Sequence, residues 1–303
     1  MNRGIAVELD SFRLANFGNQ MPCLICEEGN MLDAETCRNC YAPMILAHQA
    51  QSQSTPPVMF AALGPSGVGK TVYLGMLLDM LSRQPKQLQL SARGGFSVTL
   101  QQNTLAALAR LEFPNKTPNE PDRWNWVHCQ LRSPKQRQPV ELVLPDIAGE
   151  ALFEEVDHPR SYRVIHSMLS RCDGVLILID GTKLQSGSLD EDYFTMKLLS
   201  HLSELPKDPK NNWSSRPVAL IFSKADQCES CFDDPTGYAQ RHAPGLWRVC
   251  QQRFRKHRFF AAGVAGACAT RTLRGGGLQS VPLRIEPRGI VEPFEWLVEN
   301  LRI

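Results

Sequence analysis

From Val58 onward, short apolar runs alternate with stretches in which apolar residues recur at helical spacing. Six runs have the length of buried strands, and we predict strands at Val58–Leu63, Asn125–Leu131, Val140–Leu144, Gly174–Ile179, Val218–Phe222 and Phe259–Ala262. The helical patterns predict helices at Lys70–Ser82, Ser97–Leu111, Ser161–Ser170, Asp192–Leu205, Leu246–Lys256 and Pro293–Leu301. Such alternation indicates an α/β fold, with a mostly parallel six-stranded sheet and helices on both faces.

One pair of strands breaks the parallel pattern. Only residues 132–139 separate the second predicted strand from the third, whereas a parallel crossover needs about a dozen residues or more. We therefore predict an antiparallel hairpin there. The tail from Thr272 to Pro287, with glycines at 275–277, is predicted to be a loop.

The chain before Val58 has a different character. Residues 1–20 are predicted to be an N-terminal extension, 21–43 a small metal module, and 44–57 a polar linker that ends in two prolines. Residues 58–303 form the α/β domain.

The metal module is predicted from two C-x₂-C pairs, ten residues apart: Cys23, Cys26, Cys37 and Cys40. Four thiolates at this spacing can close a tetrahedral Zn²⁺ site, as in a zinc ribbon, and leave no coordination position open for catalysis. So short a segment has too little core to fold alone, so the metal would supply its folding energy. The alternatives are two separate thiol pairs or an iron site.

The remaining cysteines and the histidines give no second metal pattern. Cys228 and Cys231 form a third C-x₂-C, but no partner pair is evident, and we predict a loop without metal. The histidines show no ligand spacing.

The segment Gly64–Thr71 has the sequence GPSGVGKT and fits the pattern G-x-x-x-x-G-K-[ST] between a predicted strand and a predicted helix. Glycines let the backbone approach phosphates closely, and successive N–H groups at a helix N-terminus favour an anion. The predicted phosphate loop comprises Gly64, Pro65, Ser66, Gly67, Val68, Gly69, Lys70 and Thr71. Lys70 would reach the β- and γ-phosphates, and the Thr71 hydroxyl would ligate Mg²⁺.

Two further segments follow predicted strands: the D-x-x-G sequence Asp146–Gly149, and Ser223-Lys-Ala-Asp226. With the phosphate loop, they resemble the Ras-like (TRAFAC-type) branch of P-loop GTPases. The resemblance implies that Asp146 holds Mg²⁺ through water and that the Gly149 N–H contacts the γ-phosphate. It implies that Asp226 accepts from guanine and that the Lys224 stem packs along the base. Ser223 stands where that family has Asn or Thr.

The same resemblance assigns three less specific positions. Thr117, in Phe113–Pro118, is the candidate threonine that closes over Mg²⁺ and the γ-phosphate. Ala262 and Gly263 would offer backbone N–H groups to the guanine O6. Glu150 stands where Ras has its water-orienting Gln, which implies slow hydrolysis of GTP to GDP unless a partner assists.

A zinc ribbon joined to such a domain resembles the bacterial double-GTPase families, which implies a switch that signals to protein partners, such as a second GTPase or an activator. Two other functions stay open at this stage. One is an ATPase or kinase of the P-loop class, and the other is a nucleotide-binding scaffold without turnover.

Composition narrows the partners and the compartment. With 33 basic and 31 acidic residues, the net charge of +2 gives no basic excess for nucleic-acid binding. We find neither a secretory signal nor an apolar stretch of membrane-spanning length, and expect a cytoplasmic protein in which the ten cysteines stay reduced.

Overall fold

A seven-stranded sheet forms the centre of the molecule, seen in a computed structural model that describes residues 20–51, 56–83, 88–133, 138–205, 213–272 and 278–301. In chain order its strands are β3 (Val58–Leu63), β4 (Gln89–Arg93), β5 (Trp126–Arg132), β6 (Val140–Pro145), β7 (Gly174–Asp180), β8 (Val218–Ser223) and β9 (His257–Ala261). Their order across the sheet is β4-β5-β6-β3-β7-β8-β9. Two further strands, β1 (Gln20–Pro22) and β2 (Gly29–Met31), form a separate antiparallel hairpin.

The pairing of the strands confirms the predicted hairpin. Strands β6, β3, β7, β8 and β9 run parallel, whereas β5 is antiparallel to β6. The α/β class is confirmed, and the structure adds β4 as a seventh strand, antiparallel to β5 at the sheet edge.

Helices follow the strands closely. They are α1 (Ile45–Gln51), α2 (Lys70–Ser82), α3 (Gly94–Ala109), α4 (Gly149–Asp157), α5 (Arg163–Arg171), α6 (Gly181–Gln185), α7 (Asp190–Glu204), α8 (Ser230–Asp233), α9 (Pro235–His242), α10 (Pro244–Arg253) and α11 (Glu292–Glu299). All six predicted helices are present, with ends that differ by a few residues. None of the helices in the described ranges is long and apolar enough to cross a membrane.

The central strands are apolar throughout because both faces of the sheet are covered. Every residue of β3, β7 and β8 is buried. Alternate residues of β3 enter two different cores: Ala61 and Leu63 face α4, α5 and α7, whereas Phe60 and Ala62 face α2, α3 and α11. Because these strands run parallel, their carboxyl ends lie along one edge of the sheet, where a ligand site is expected.

The tail corrects one prediction. Residues 272–287 were predicted to be a loop, but half of them belong to two antiparallel strands, β10 (Ala267–Thr272) and β11 (Leu278–Arg284), while residues 273–277 lie outside the described residues. The signal was weak because β10 is half-buried or exposed along its length.

The N-terminal module packs on the α4, α5 and α7 face of the sheet and shares its core. The Arg171 guanidinium donates to the carbonyl oxygens of Leu24 (3.0 Å) and Ile25 (3.3 Å) and pairs with Glu27 at 2.9 Å. Part of the stretch predicted to be a linker is α1, which buries Leu46 and Ala47. Residues 52–55 of that stretch lie outside the described residues.

Candidate nucleotide site

The loop between β3 and α2 has the backbone that the sequence motif requires. Gly64, Gly67 and Gly69 have φ values of 146°, 74° and 98°, in the region that disfavours other residues. At Gly64 a Cβ would also lie only 2.5 Å from the Leu178 carbonyl oxygen. The loop leads into α2, which begins at Lys70, so the amides of the first turn of this helix lie at the end of the loop.

The Lys70 side chain is buried against this loop. Its Nζ donates to the carbonyl oxygens of Gly64 (2.8 Å) and Pro65 (3.0 Å). Burial lowers the pKa of Lys70 from 10.5 to about 8, although the carboxylates of Asp146 and Glu150 oppose this shift. A phosphate anion would fit beside this ammonium group because it would compensate the desolvated charge.

Three oxygen-bearing side chains meet next to Lys70. Asp146 Oδ2 accepts from Thr71 Oγ1 at 2.9 Å and from Thr117 Oγ1 at 2.8 Å, and the two hydroxyl oxygens are 3.1 Å apart. Asp146 follows β6 and makes a bridge with Ala62 of β3, which brings its carboxylate to the end of the phosphate loop.

This cluster fits Mg²⁺, which prefers oxygen ligands and usually binds through one or two carboxylates, hydroxyls and phosphates. Burial raises the pKa of Asp146, while the hydrogen bonds from Thr117 and Thr71 and the charge of Lys70 oppose that rise. Its second oxygen, Oδ1, is buried with no hydrogen-bond partner in the described ranges. A water molecule bound to the cation would satisfy that oxygen.

The residues after Asp146 touch the phosphate loop directly. Gly149, the first residue of α4, lies so close that a Cβ would overlap the Ser66 nitrogen. Glu150 pairs with Lys116 at 3.7 Å, and both side chains are largely exposed. Burial tends to raise the pKa of Glu150, but a hydrogen bond with Ser66 and the charges of Lys116 and Lys70 lower it overall.

The Ser223–Asp226 segment forms the other end of the site. Lys224 has a positive φ of 56°, and its Nζ donates to Asp180 Oδ2 at 2.6 Å. Burial raises the pKa of Asp226. The Ser223 hydroxyl donates to the Ile179 carbonyl at 3.1 Å, so this residue holds the neighbouring strand and not the phosphate loop.

The predicted donors after β9 need a correction. The Ala262 N–H already donates to the Phe222 carbonyl at 2.9 Å, and the Gly263 N–H donates to the Arg288 carbonyl at 3.0 Å. Neither amide is free for guanine, because each is used to hold the loop. Gly263 has a different role: a Cβ there would overlap Asp226 Oδ1, so glycine allows the carboxylate its position.

A single cavity of about 440 Å³ joins these segments. It extends from the phosphate loop past Thr117 and Glu150 to Lys224 and Asp226. Sequence reasoning missed part of its wall, which includes Thr182, Ala265, Cys268, Ser280 and Ile290. These residues carry no motif, and the hairpin and the segment that follows it bring three of them to the cavity.

The four N-terminal cysteines are brought together as the spacing predicted. Their Sγ atoms all lie within 4.8 Å of one another, with Cys23 to Cys40 at 3.7 Å and Cys26 to Cys37 at 3.5 Å. Tetrahedral Zn–S bonds of about 2.3 Å place sulfurs about 3.8 Å apart. The Ile25 N–H donates to Cys23 Sγ and the Asn39 N–H donates to Cys37 Sγ, each at 3.4 Å, and such hydrogen bonds stabilise a thiolate ligand. The donor set therefore fits zinc.

The third cysteine pair lies beside the Asp226 loop. Cys231 Sγ donates to Cys228 Sγ at 3.1 Å, and the Cys228 thiol donates to the Tyr238 hydroxyl at 3.5 Å. Both thiols are buried. That this pair forms a loop without metal stays a prediction.

Comparison with known proteins places these features in a family. A sequence model of the double-GTPase 2 family matches residues 58–258. No individual curated protein matches the chain.

Among solved structures, the chain is similar to the Arl6 BBS3 small GTPase of Trypanosoma brucei with a bound nucleotide analogue, GppNp (14% identity, TM-score 0.42, covering 80% of this chain and 96% of that one). It is also similar to the S. cerevisiae Ski7 GTPase-like domain bound to GDP and inorganic phosphate (15% identity, TM-score 0.42, covering 80% of this chain and 49% of that one). A third similar structure is the bacterial selenocysteine-specific elongation factor EF-Sec (12% identity, TM-score 0.34, covering 68% of this chain and 25% of that one).

Proposed function

The chain belongs to the double-GTPase 2 family, and from that premise we propose that it is a switch that binds GTP with Mg²⁺ and hydrolyses it slowly to GDP and phosphate. The observation that carries this proposal is the convergence of Thr71, Thr117 and Asp146 next to the buried ammonium group of Lys70. Hydroxyls, a carboxylate and a desolvated lysine at the head of a helix form a site for a triphosphate and its cation.

In this proposal the residues of the phosphate loop, Thr117 and the Asp146–Gly149 segment act at the phosphates and the cation. The amides of Gly64–Thr71 and the Lys70 ammonium group hold the β- and γ-phosphates, and Gly149 offers its N–H to the γ-phosphate. Thr71 and Thr117 ligate Mg²⁺, and Asp146 holds it through water. The cation, when bound, neutralises charge between the β- and γ-phosphates.

Guanine selectivity is proposed to rest on Asp226, supported by its place in the same cavity as the phosphate loop. Guanine presents two N–H donors to a carboxylate, whereas adenine leaves that carboxylate unpaired. Lys224 supports the base with its stem. Because Ala262 and Gly263 use their N–H groups within the protein, the O6 contact falls to a later part of that loop, such as Ala265.

Slow hydrolysis is proposed because of Glu150. A carboxylate accepts a hydrogen bond from water but cannot also donate one, and its negative charge would lie near the γ-phosphate. Its lowered pKa makes it a weak base. A partner that supplies an arginine or repositions Glu150 would accelerate the reaction.

The four cysteines are proposed to bind structural zinc in a ribbon spanning residues 21–43, ahead of a GTPase domain spanning 58–303. The ribbon is a candidate docking surface for the protein partners of the switch, which would include a second GTPase or an activator.

The test is a titration of labelled GTP and ATP against the wild type and Asp226→Asn, with Mg²⁺ present. The wild type should prefer GTP, and the variant should lose that preference and accept xanthine nucleotides. Equal wild-type affinity for GTP and ATP would overturn the guanine assignment and favour the ATPase or kinase alternative.

Phosphate release with bound GTP separates the switch from the scaffold. Slow release that changes in Glu150→Gln supports the switch, and complete absence of release supports a scaffold without turnover. Release at many turnovers per second without a partner would contradict the proposed role of Glu150.

A further inference from the structure

Three side chains of types that ligate metals converge outside the lining of the nucleotide cavity. Glu155 lies in α4, His166 in α5 and His201 in α7. Their nearest ligand atoms all lie within 4.8 Å of one another, with His166 Nδ1 and His201 Nε2 at 3.6 Å and 3.9 Å from Glu155 Oε1. The Glu155 side chain is fully buried, and His201 is 9% exposed.

Neither imidazole nitrogen is satisfied by this contact. His166 Nδ1 and His201 Nε2 are both buried and have no hydrogen-bond partner among the described residues. Their distances to Glu155 are too long for hydrogen bonds, which have N···O distances of about 2.7–3.2 Å. Two buried nitrogens directed at one carboxylate oxygen, with a gap between them, leave room for a shared cation.

The spacing is that of a tetrahedral metal site. Zinc binds His nitrogen and carboxylate oxygen at about 2.0–2.2 Å, so two such ligand atoms lie about 3.4 Å apart when the metal is bound. The two distances from Glu155 Oε1, 3.6 Å and 3.9 Å, exceed this value by a few tenths of an ångström, and the ligand atoms of the two histidines lie within 4.8 Å of each other, so side-chain rotations would bring the three atoms to that spacing.

The carboxylate is held by the backbone behind it. The Arg160 N–H donates to Glu155 Oε1 at 2.9 Å, and the Tyr162 N–H donates to Oε2 at 2.8 Å. Arg160 has a φ of 76°, an uncommon conformation for a residue other than glycine. Such outer contacts fix a ligating carboxylate in position.

We propose that Glu155, His166 and His201 form a second Zn²⁺ site, independent of the four-cysteine ribbon. Two neutral imidazoles and one carboxylate supply three ligands, and water fills the fourth position. A surface pocket beside His201, lined by Pro159, Tyr193, Lys197 and Glu204, gives that water access. The metal ties α4, which begins at Gly149, to α5 and α7.

The experiment measures zinc per chain in the full-length protein. The protein is equilibrated with excess zinc chloride and freed of unbound metal by gel filtration, and its zinc is counted by mass spectrometry. The wild type should hold two zinc ions, one in the ribbon and one here. His166→Gln and Glu155→Gln should each hold one.

His158→Gln is the matched control, because His158 is exposed and lies close to the site in sequence. It should keep two zinc ions. If the wild type holds no more zinc than His166→Gln and Glu155→Gln, the proposal is overturned, whatever the ribbon contributes.

Cobalt provides a readout that needs no variant. Wild-type protein stripped by a mild chelator to one zinc ion per chain is titrated with Co²⁺. One equivalent should bind with visible d–d bands and without thiolate charge-transfer bands, since the proposed ligands include no sulfur. Bands from a thiolate site only, or no binding of Co²⁺, would contradict the proposal even if the variants failed to fold.

Discussion

Lys70 holds a charged group where water is largely excluded. Burial lowers the pKa of Lys70 from 10.5 to about 8, so the folded protein releases this proton at a lower pH than the unfolded chain does. Between about pH 8 and 10.5 the unfolded chain binds more protons, so stability rises with pH across that window. Below about pH 8 the full cost of the buried charge is present. A bound anion would offset this cost, because its negative charge would compensate the buried ammonium group.

Replacing Lys70 should therefore separate stability from binding. Lys70→Met should raise the free energy of unfolding of the nucleotide-free protein at pH 7 by about 1–3 kcal/mol. It should lack the rise between pH 8 and 10.5 and lose nucleotide binding. Urea unfolding at pH 7 and pH 10, with the exposed Lys197→Met as control, measures the difference. If the free energy of unfolding depends on pH identically in wild type and Lys70→Met, burial of the Lys70 ammonium group does not destabilise the folded protein.

Gly149 is required by contact with the phosphate loop. In Gly149→Ala the new Cβ would overlap the backbone of Pro65 and Ser66, which cannot rotate away. We expect a loss of about 1–3 kcal/mol in the free energy of unfolding, as for other overpacked sites. Gly95→Ala is the control: it also lies in the first turn of a helix, and a Cβ there has open space. Equal urea midpoints for the two variants would contradict this account.

Sequence predicted the residues whose chemistry lies in a contiguous motif, and missed those that only folding brings together. Lys70 and Thr71 follow from the phosphate-loop pattern, since its spacing is fixed by local backbone geometry. His166 and His201 carry no such signal, because three separate helices place them beside Glu155. Sequence could not show that the N–H groups of Ala262 and Gly263 are already in use, because their acceptors, the carbonyls of Phe222 and Arg288, are brought to them by the tertiary fold.

Strands with a run of apolar residues were predictable, whereas β4 and the hairpin β10–β11 were not. Strand β7 is buried along its length, so its apolar run is continuous. In β4 only Leu90 is buried. In the hairpin β10–β11 polar and apolar residues follow no regular alternation. Their pairing partners, not their composition, make them strands.

The hairpin β10–β11 forms a wall of the nucleotide cavity, and Cys268 reports on it. Cys268 and Cys26 are the two of the ten cysteines that are not buried, and Cys26 belongs to the ribbon. Bound GTP should slow alkylation of Cys268 by N-ethylmaleimide at least about fivefold, because the nucleotide excludes the reagent from the cavity. Burial raises the pKa of this thiol, so the rate should increase with pH.

Mass spectrometry of alkylated peptides measures the rate at Cys268 directly, with Cys268→Ser to confirm the assignment. ATP at the same concentration serves as the ligand control and should protect less. Alkylation that is unaffected by saturating GTP would show that the hairpin does not border the occupied site.

The ribbon and the α/β domain share one hydrophobic core on the α4–α5 side of the sheet. Composition predicted a module and a linker, because polar residues and prolines follow the cysteines. In the structure, Ile25, Met44 and Leu46 join the same core as Val164 and Met168 of α5. Arg163 adds a hydrogen bond from Nη1 to Asn39 at 2.7 Å. Removal of the ribbon's metal should therefore affect the domain as well.

Zinc removal tests this coupling. A strong chelator should lower the melting temperature of the whole domain by about 10 °C, since unfolding of the ribbon exposes apolar surface of α5 that it covers. The readout is melting followed by the fluorescence of Trp296, in α11 on the opposite face of the sheet, in a protein whose other four tryptophans are replaced by Phe. His201→Gln serves as the control for the second proposed zinc site and should show nearly the same decrease. A decrease that vanishes in His201→Gln would assign the effect to that site, and an unchanged melting temperature in both proteins would show that the domain does not depend on its ribbon.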